Sequence, residues 1–250
     1  MNAAGPLLEV RGLRKRFGGV VATDGVDLQV QRGEVHALIG PNGAGKTTLV
    51  AQLAGQLAPD AGYIVFDGAD ITGWSAHQRA RRGLARSFQI TRLFASFSVL
   101  EHLALALQAA SGSSAGAWRP LSREPVLWQQ ARAQLPALGL REHADAPIDT
   151  LSHGQRRALE VGMAVAAAPR LVLLDEPMAG MGPDESVRME ALIRELARRT
   201  TLLLIEHDVD AVFRLAHRVS VLVNGRIIAS AVPDEVRRDA QVIAAYLGHE

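Results

Sequence analysis

Gly40-Pro41-Asn42-Gly43-Ala44-Gly45-Lys46-Thr47-Thr48 has the spacing G-x-x-x-x-G-K-[ST], and what flanks it decides the fold. The glycines let the backbone curl so that successive N–H groups face an anion. Lys46 is placed to reach the β- and γ-phosphates of a nucleotide, and the Thr47 hydroxyl to hold Mg²⁺. Residues 35–39 before the loop read as a buried strand. Residues 48–57 after it read as a helix, whose N-terminal dipole favours phosphate. A chance glycine turn lacks this strand, loop and helix context.

Composition narrows the classes. The chain has 250 residues, of which 48% are hydrophobic, as in a packed globular protein. A net charge of +1 offers no general surface for nucleic acid or anionic membrane. With no cysteine there is neither a disulfide framework nor a thiolate metal site. No apolar run approaches the roughly 18–20 residues that cross a bilayer. Residues 1–9 lack the basic and long apolar regions of a secretory signal. The expectation is a soluble cytoplasmic protein that reaches a membrane only by docking on a partner.

Working outward, residues 7–10 and 26–30 read as short strands. Between them Phe17 stands beside two glycines, either as an edge-of-core side chain or as a ring for an adenine to stack upon. Residues 63–71 and 219–231 read as hairpins, the second with an Asn224-Gly225 turn. The group Arg79, Arg81, Arg82 and Arg86 reads as the solvated face of a short helix rather than a nucleic-acid patch, because few aromatics lie near it. Residues 90–155 look helical and strand-free, with a flexible loop over 111–116 and a helix over 125–138, which suggests an inserted helical lobe. Ser152 and Gln155 have capping-box spacing at the start of a helix that runs to Ala168. Leu171-Val172-Leu173-Leu174 and residues 201–205 read as strands buried on both faces. The first ends in Asp175-Glu176 and the second in Glu206-His207-Asp208. Carboxylates at such an edge are poorly explained by packing, and the ligand crevice of an open α/β sheet lies there. A helix is expected over 183–198 and a helical tail over 233–250.

In this order the motifs resemble those of the ATP-binding subunit of an ABC transporter, over nearly the whole chain. Gly40–Thr48 matches the Walker A loop, Gln89 the Q-loop, and Leu151-Ser152-His153-Gly154-Gln155 the LSGGQ signature. Leu171–Asp175 matches Walker B with Glu176 as the following glutamate, His207 the switch histidine, and Phe17 the adenine-stacking aromatic. Ala85-Arg86-Ser87-Phe88-Gln89, Leu173-Leu174-Asp175-Glu176-Pro177, Leu204-Ile205-Glu206-His207-Asp208 and Ala245-Tyr246-Leu247-Gly248 are similar to the branched-chain amino acid importer ATPases, in particular their G-type subunit. Importers of urea, amides and aromatic acids share that pattern. There are two departures: His153 replaces the first signature glycine, and Ala179–Gly182 lacks the D-loop aspartate.

The resemblance implies an α/β fold: a P-loop NTPase (RecA-like) core with an antiparallel β subdomain and an inserted helical subdomain, all in one domain over 1–250. It implies ATP bound by Phe17, Gly40, Pro41, Asn42, Gly43, Ala44, Gly45, Lys46, Thr47 and Thr48, and by Ser152, His153, Gly154 and Gln155 of an opposing subunit. Mg²⁺ would be held by Thr47, Gln89 and Asp175. The catalytic residues would be Glu176, His207 and Gln89. The implied partners are two polytopic permease subunits, a second ATPase or a second copy of this chain, and indirectly a solute-binding protein, but no nucleic acid. The implied location is the cytoplasmic face of the inner membrane. A soluble ABC-type ATPase acting on nucleic acid or the ribosome is the competing reading. Such chains usually carry two cassettes or a long coiled-coil insertion, whereas this one shows a single cassette and a net charge near zero. A kinase or GTPase would leave the signature unexplained, and a non-catalytic module would not need Lys46, Asp175, Glu176 and His207.

Overall fold

Two sheets enclose the helix that follows the glycine loop. The computed structural model describes residues 5–87, 93–110 and 120–247, apart from the side chains of Ser122, Tyr246 and Leu247. The N-terminal half runs β1 (Leu8–Phe17), β2 (Val20–Val30), β3 (Val35–Ile39), α1 (Lys46–Leu53), β4 (Ala61–Phe66), β5 (Ala69–Asp70), α2 (Ala76–Arg82) and β6 (Leu84–Arg86). Then come α3 (Val99–Ala110), α4 (Pro125–Gln134), α5 (His153–Val165), β7 (Leu171–Asp175), α6 (Pro183–Ala197) and β8 (Thr201–Ile205). The chain continues through α7 (Val209–Leu215), β9 (Arg218–Val223), β10 (Arg226–Ala231), α8 (Pro233–Val236) and α9 (Ala240–Leu247).

One sheet is antiparallel, in the order β2-β1-β4-β5. The other has the order β10-β9-β3-β8-β7-β6 and is parallel except for β10. Every residue of β3, β7 and β8 is buried, because helices cover one face of this sheet and the antiparallel sheet with α1 covers the other. Alternation divides their side chains. Val172, Leu174, Leu202 and Leu204 meet Leu103, Leu159 and Ile193 of α3, α5 and α6. Leu171, Leu173, Leu203 and Ile205 meet Leu49 and Val50 of α1 and Leu8 and Phe66 of the other sheet. Each fully buried leucine contributes about 2 kcal/mol.

Among the described residues no strand lies between β6 and β7, and α3 and α5 share one apolar cluster with β7 and β8. The loop read over 111–116 lies outside the described residues, as do Gln89 and Gly248. Within residues 233–247 of the tail, Val236 and Val242 are buried against Val219 and Val221 of β9.

Two expectations need correction. The first hairpin is far longer than 7–10 with 26–30. Its strands run to Phe17 and from Val20, with irregular register at Gly12, so charged residues in Arg14-Lys15-Arg16 sit on strand rather than loop. The arginine group is not one solvated face. Arg81 and Arg82 are exposed, but Arg79 is 1% exposed and donates to the carbonyls of Gln52, Leu53, Thr72 and Trp74 at 2.7–3.1 Å. Arg86 lies on β6 and pairs with Asp175. Four carbonyls in reach compensate for taking the Arg79 guanidinium out of water.

Candidate active site

The parallel register assembles the site. Leu38 of β3 pairs with Ile205 of β8, and Ile205 pairs with Asp175 of β7. The carboxyl ends of the three strands are therefore side by side. The loop Gly40–Gly45 leaves β3, Glu206-His207 leaves β8, and Asp175-Glu176 ends β7. The edge strand β6 adds Arg86, two residues before the undescribed segment that holds Gln89.

The glycine loop is clasped between elements. A Cβ added at Gly40 would overlap the carbonyl of Leu222, and one at Gly45 the carbonyl of Ala22. Gly45 also has φ +104°, so a side chain is excluded on two counts. The β9–β10 turn locks the loop from outside through Gly225 N–H to Ala44 O at 2.9 Å. α1 begins at Lys46, inside the motif, and Gly45 gives it no side-chain cap. The N–H groups of Lys46, Thr47 and Thr48 therefore have no intrahelical acceptor and no cap, which is the chemistry of an anion site. Lys46 Nζ donates to the carbonyls of Gly40 at 2.6 Å and Pro41 at 3.0 Å, along the loop. Burial lowers the pKa of this ammonium, while Glu176 and Asp175 act in the opposite sense. Gly43 faces open space, Asn42 and Thr47 are exposed, and Pro41 and Thr48 are half-buried.

Asp175 is 2% exposed and accepts from Arg86 Nη2 at 2.6 Å. Glu176 carries φ +49°, a left-handed conformation that costs a non-glycine residue about 1–2 kcal/mol. Its N–H donates to Ile205 O at 2.9 Å. Its carboxylate meets His207 Nε2 at 2.7 Å. Glu206 is buried and accepts from the N–H groups of Met178 at 2.8 Å and His207 at 3.2 Å. Burial pushes its carboxyl up despite these two donors.

Ser152-His153-Gly154-Gln155 stands at the other helix N-terminus, that of α5. The capping box forms in full, with Ser152 N–H on Gln155 Oε1 at 2.8 Å and Gln155 N–H on Ser152 Oγ at 3.2 Å. His153 Nε2 lies 3.1 Å from Ala179 O. Ser152 Oγ at 2.8 Å and Gly154 N–H at 3.2 Å both donate to Glu185 Oε1, which holds that carboxyl below the usual range. Phe17 is half exposed at the tip of the first hairpin, with Lys15 Nζ 5.8 Å from its ring centroid, so it is not part of the core.

The structure thus brings the loop, Asp175, Glu176 and His207 to one edge of the parallel sheet, joins α5 to that edge through Arg157, and leaves Phe17 at the hairpin tip. Nothing in the sequence pointed to Arg157 or Glu185, and it named Arg86 within the arginine group and Glu206 at the polar end of a buried strand without revealing their contacts. Arg86 and Glu206 adjoin motif residues, which was a usable signal. Arg157 and Glu185 act across 18 or more residues and carried none. Among the described residues no group of three or more His, Cys, Asp or Glu could hold a metal. Mg²⁺ commonly takes one or two carboxylates plus substrate phosphates rather than an all-protein cage, and the donor set of Asp175 and Thr47 fits that mode.

The chain resembles known proteins along nearly its whole length. Residues 23–179 match the family model described as ABC transporter, and residues 226–250 match that of the branched-chain amino acid ATP-binding cassette transporter. The chain is 39% identical to the high-affinity branched-chain amino acid transport ATP-binding protein BraF of Pseudomonas aeruginosa, over 97% of this chain and 98% of that one. It is 38% identical to LivG of Escherichia coli K12, with the same coverage. The ADP conformation of MJ1267, an ATP-binding cassette of an ABC transporter, superposes with a TM-score of 0.87 at 31% identity, over 98% of this chain and 99% of that one.

Proposed function

This chain belongs to the ABC transporter family as an ATP-binding subunit that hydrolyses ATP, and from that membership we propose that it powers an importer of branched-chain amino acids or a related small polar solute. The observation that carries the catalytic part is the shared edge of β3, β8 and β7, which sets the uncapped α1 beside Asp175, Glu176 and His207. The match over 226–250 supports the cargo class, because that segment lies outside the phosphate loop, Asp175 and Glu176.

In this reading the α1 amides and Lys46 hold the phosphates, and Phe17 stacks on the adenine. Mg²⁺ held by Thr47, Asp175 and Gln89 would neutralise charge on the phosphates. Glu176 orients the attacking water and takes its proton. His207 positions the Glu176 carboxylate and offers a hydrogen bond to the γ-phosphate. Ser152, His153, Gly154 and Gln155 close the site of an opposing subunit, either a second copy of this chain or a related ATPase. Closure on ATP and opening after hydrolysis drive two membrane permease subunits, which a solute-binding protein supplies. No helix among the described residues is long and apolar enough to cross a membrane. Docking on those permeases places the chain at the cytoplasmic face of the inner membrane.

The test is detergent co-purification from native membranes through a tag on this chain, with mass spectrometry of what accompanies it. Recovery with polytopic membrane proteins and a solute-binding protein that takes up leucine, isoleucine or valine is the expected result. Recovery only in the soluble fraction, with nucleic acid or ribosomal proteins, removes the transporter assignment and leaves the ATPase.

A further inference from the structure

Glu176 holds a conformation that its own side chain disfavours, so the surroundings must impose it. Two main-chain bonds help: Glu176 N–H to Ile205 O at 2.9 Å and Ala179 N–H to Glu176 O at 3.2 Å. The third anchor is a side chain from another element. Arg157, in the second turn of α5, donates from Nη2 to the carbonyl of Asp175 at 2.6 Å and to that of Glu176 at 2.8 Å. Its Nη1 donates to Glu160 Oε2 at 2.8 Å, which sets the plane of the guanidinium. The pair is mostly buried, with side-chain exposures of 11% and 13%. A planar fork with fixed donors suits two adjacent carbonyls, and a lysine ammonium does not reproduce it.

We propose that Arg157 is a positioning residue for ATP hydrolysis. By gripping the Asp175 and Glu176 carbonyls it fixes the left-handed turn that aims the Glu176 carboxylate, and it ties that aim to the position of α5. The inference rests on the reading of Glu176 as the base. The same helix presents Ser152–Gln155, the turn assigned to the opposing subunit's ATP. A shift of α5 on closure is therefore transmitted through one side chain to the base of its own subunit. This link does not pass through Ala179–Gly182, the segment that lacks an aspartate.

The experiment is a double-mutant cycle in the full-length chain, read as single-turnover hydrolysis and as ATP affinity. Arg157→Gln is expected to lower kcat about 10- to 100-fold, the scale of a misplaced catalytic group, and to leave the ATP Kd within about twofold. Combined with Glu176→Gln it should slow hydrolysis no further, because it acts only through Glu176. Arg157→Lys should recover part of the rate, and it carries the test if the Gln variant does not fold. A folded Arg157→Gln or Arg157→Lys protein with the parent kcat overturns the proposal. So does a double mutant slowed by the full factor again. If Glu176→Gln alone hydrolyses ATP normally, the underlying assignment of Glu176 fails and the proposal fails with it. A dead Glu176→Gln beside a fully active Arg157→Gln sinks the proposal only.

Discussion

His207 Nε2 lies 2.7 Å from Glu176 Oε1, across the carboxyl ends of the adjacent parallel strands β8 and β7. The two side chains form one unit: the carboxylate is placed for a proton, and the imidazole holds it in place. Glu176→Gln removes the base but keeps the shape. It is expected to cut kcat about 10²–10⁴-fold with ATP binding intact, and to accumulate an ATP-bound dimer in size-exclusion chromatography. His207→Ala should cost a similar factor, since the carboxylate loses its partner. Full turnover by Glu176→Gln would take Glu176 out of its role.

The first turn of α5 already holds an anion from its own chain. Glu185 Oε1 accepts from Ser152 Oγ and Gly154 N–H. If the opposing subunit's γ-phosphate docks on that turn, this carboxylate competes with it. Glu185→Gln keeps an acceptor and removes the charge. In a Glu176→Gln background, the ATP concentration for half-maximal dimerisation should fall about two- to fivefold, the scale of one charge at an exposed helix end. Light scattering against ATP reads this directly. An unchanged midpoint would show that Glu185 does not compete.

What the sequence revealed follows from how local each signal is. The glycine loop was legible because its spacing lies within nine residues. The carboxyl-edge cluster was legible because buried apolar strands that end in Asp175-Glu176 and Glu206-His207 break the packing pattern. Burial of a single long side chain was not. Arg79, Arg81 and Arg82 share one helix, and only the fold shows that Arg79 turns inward onto carbonyls of residues 52 and 53. The Ser152–Glu185 contact spans 33 residues and no periodicity encodes it. Charges and glycines broke up the first hairpin in sequence, whereas bulged antiparallel strands accommodate both.

Arg79 closes the far end of the helix that starts at the phosphate loop. Its Nη1 donates to Gln52 O and Leu53 O, the last carbonyls of α1. A cation there also complements the helix dipole. Burial pulls the guanidinium pKa down to about 10, so it stays charged at neutral pH. Arg79→Leu strands buried carbonyls and is expected to destabilise the chain by about 3 kcal/mol or more in urea unfolding. Arg79→Lys should recover under half of that, since an ammonium cannot span four acceptors. A loss below about 1 kcal/mol in Arg79→Leu would show that water satisfies these carbonyls.

Glu206 gives a pH signature with a definite sign. Its carboxyl is held above the ordinary value of 4.5, first by burial, with Glu176 adding to the shift against two N–H donors. A raised carboxyl means that the folded chain keeps this proton to higher pH than the unfolded chain. Unfolding then releases a proton between the two values, so stability from this group falls as pH rises through that window and stays low above it. Glu206→Gln carries no charge at any pH and keeps one acceptor for Met178 or His207. Loss of the second acceptor is a constant offset, independent of pH. The stability of Glu206→Gln minus that of the parent should therefore rise as pH climbs from the ordinary carboxyl value through the raised folded one and level off above it, measured by urea melts at several pH values. A flat difference would show that Glu206 titrates alike in both states. A falling one would show that its N–H donors outweigh its burial.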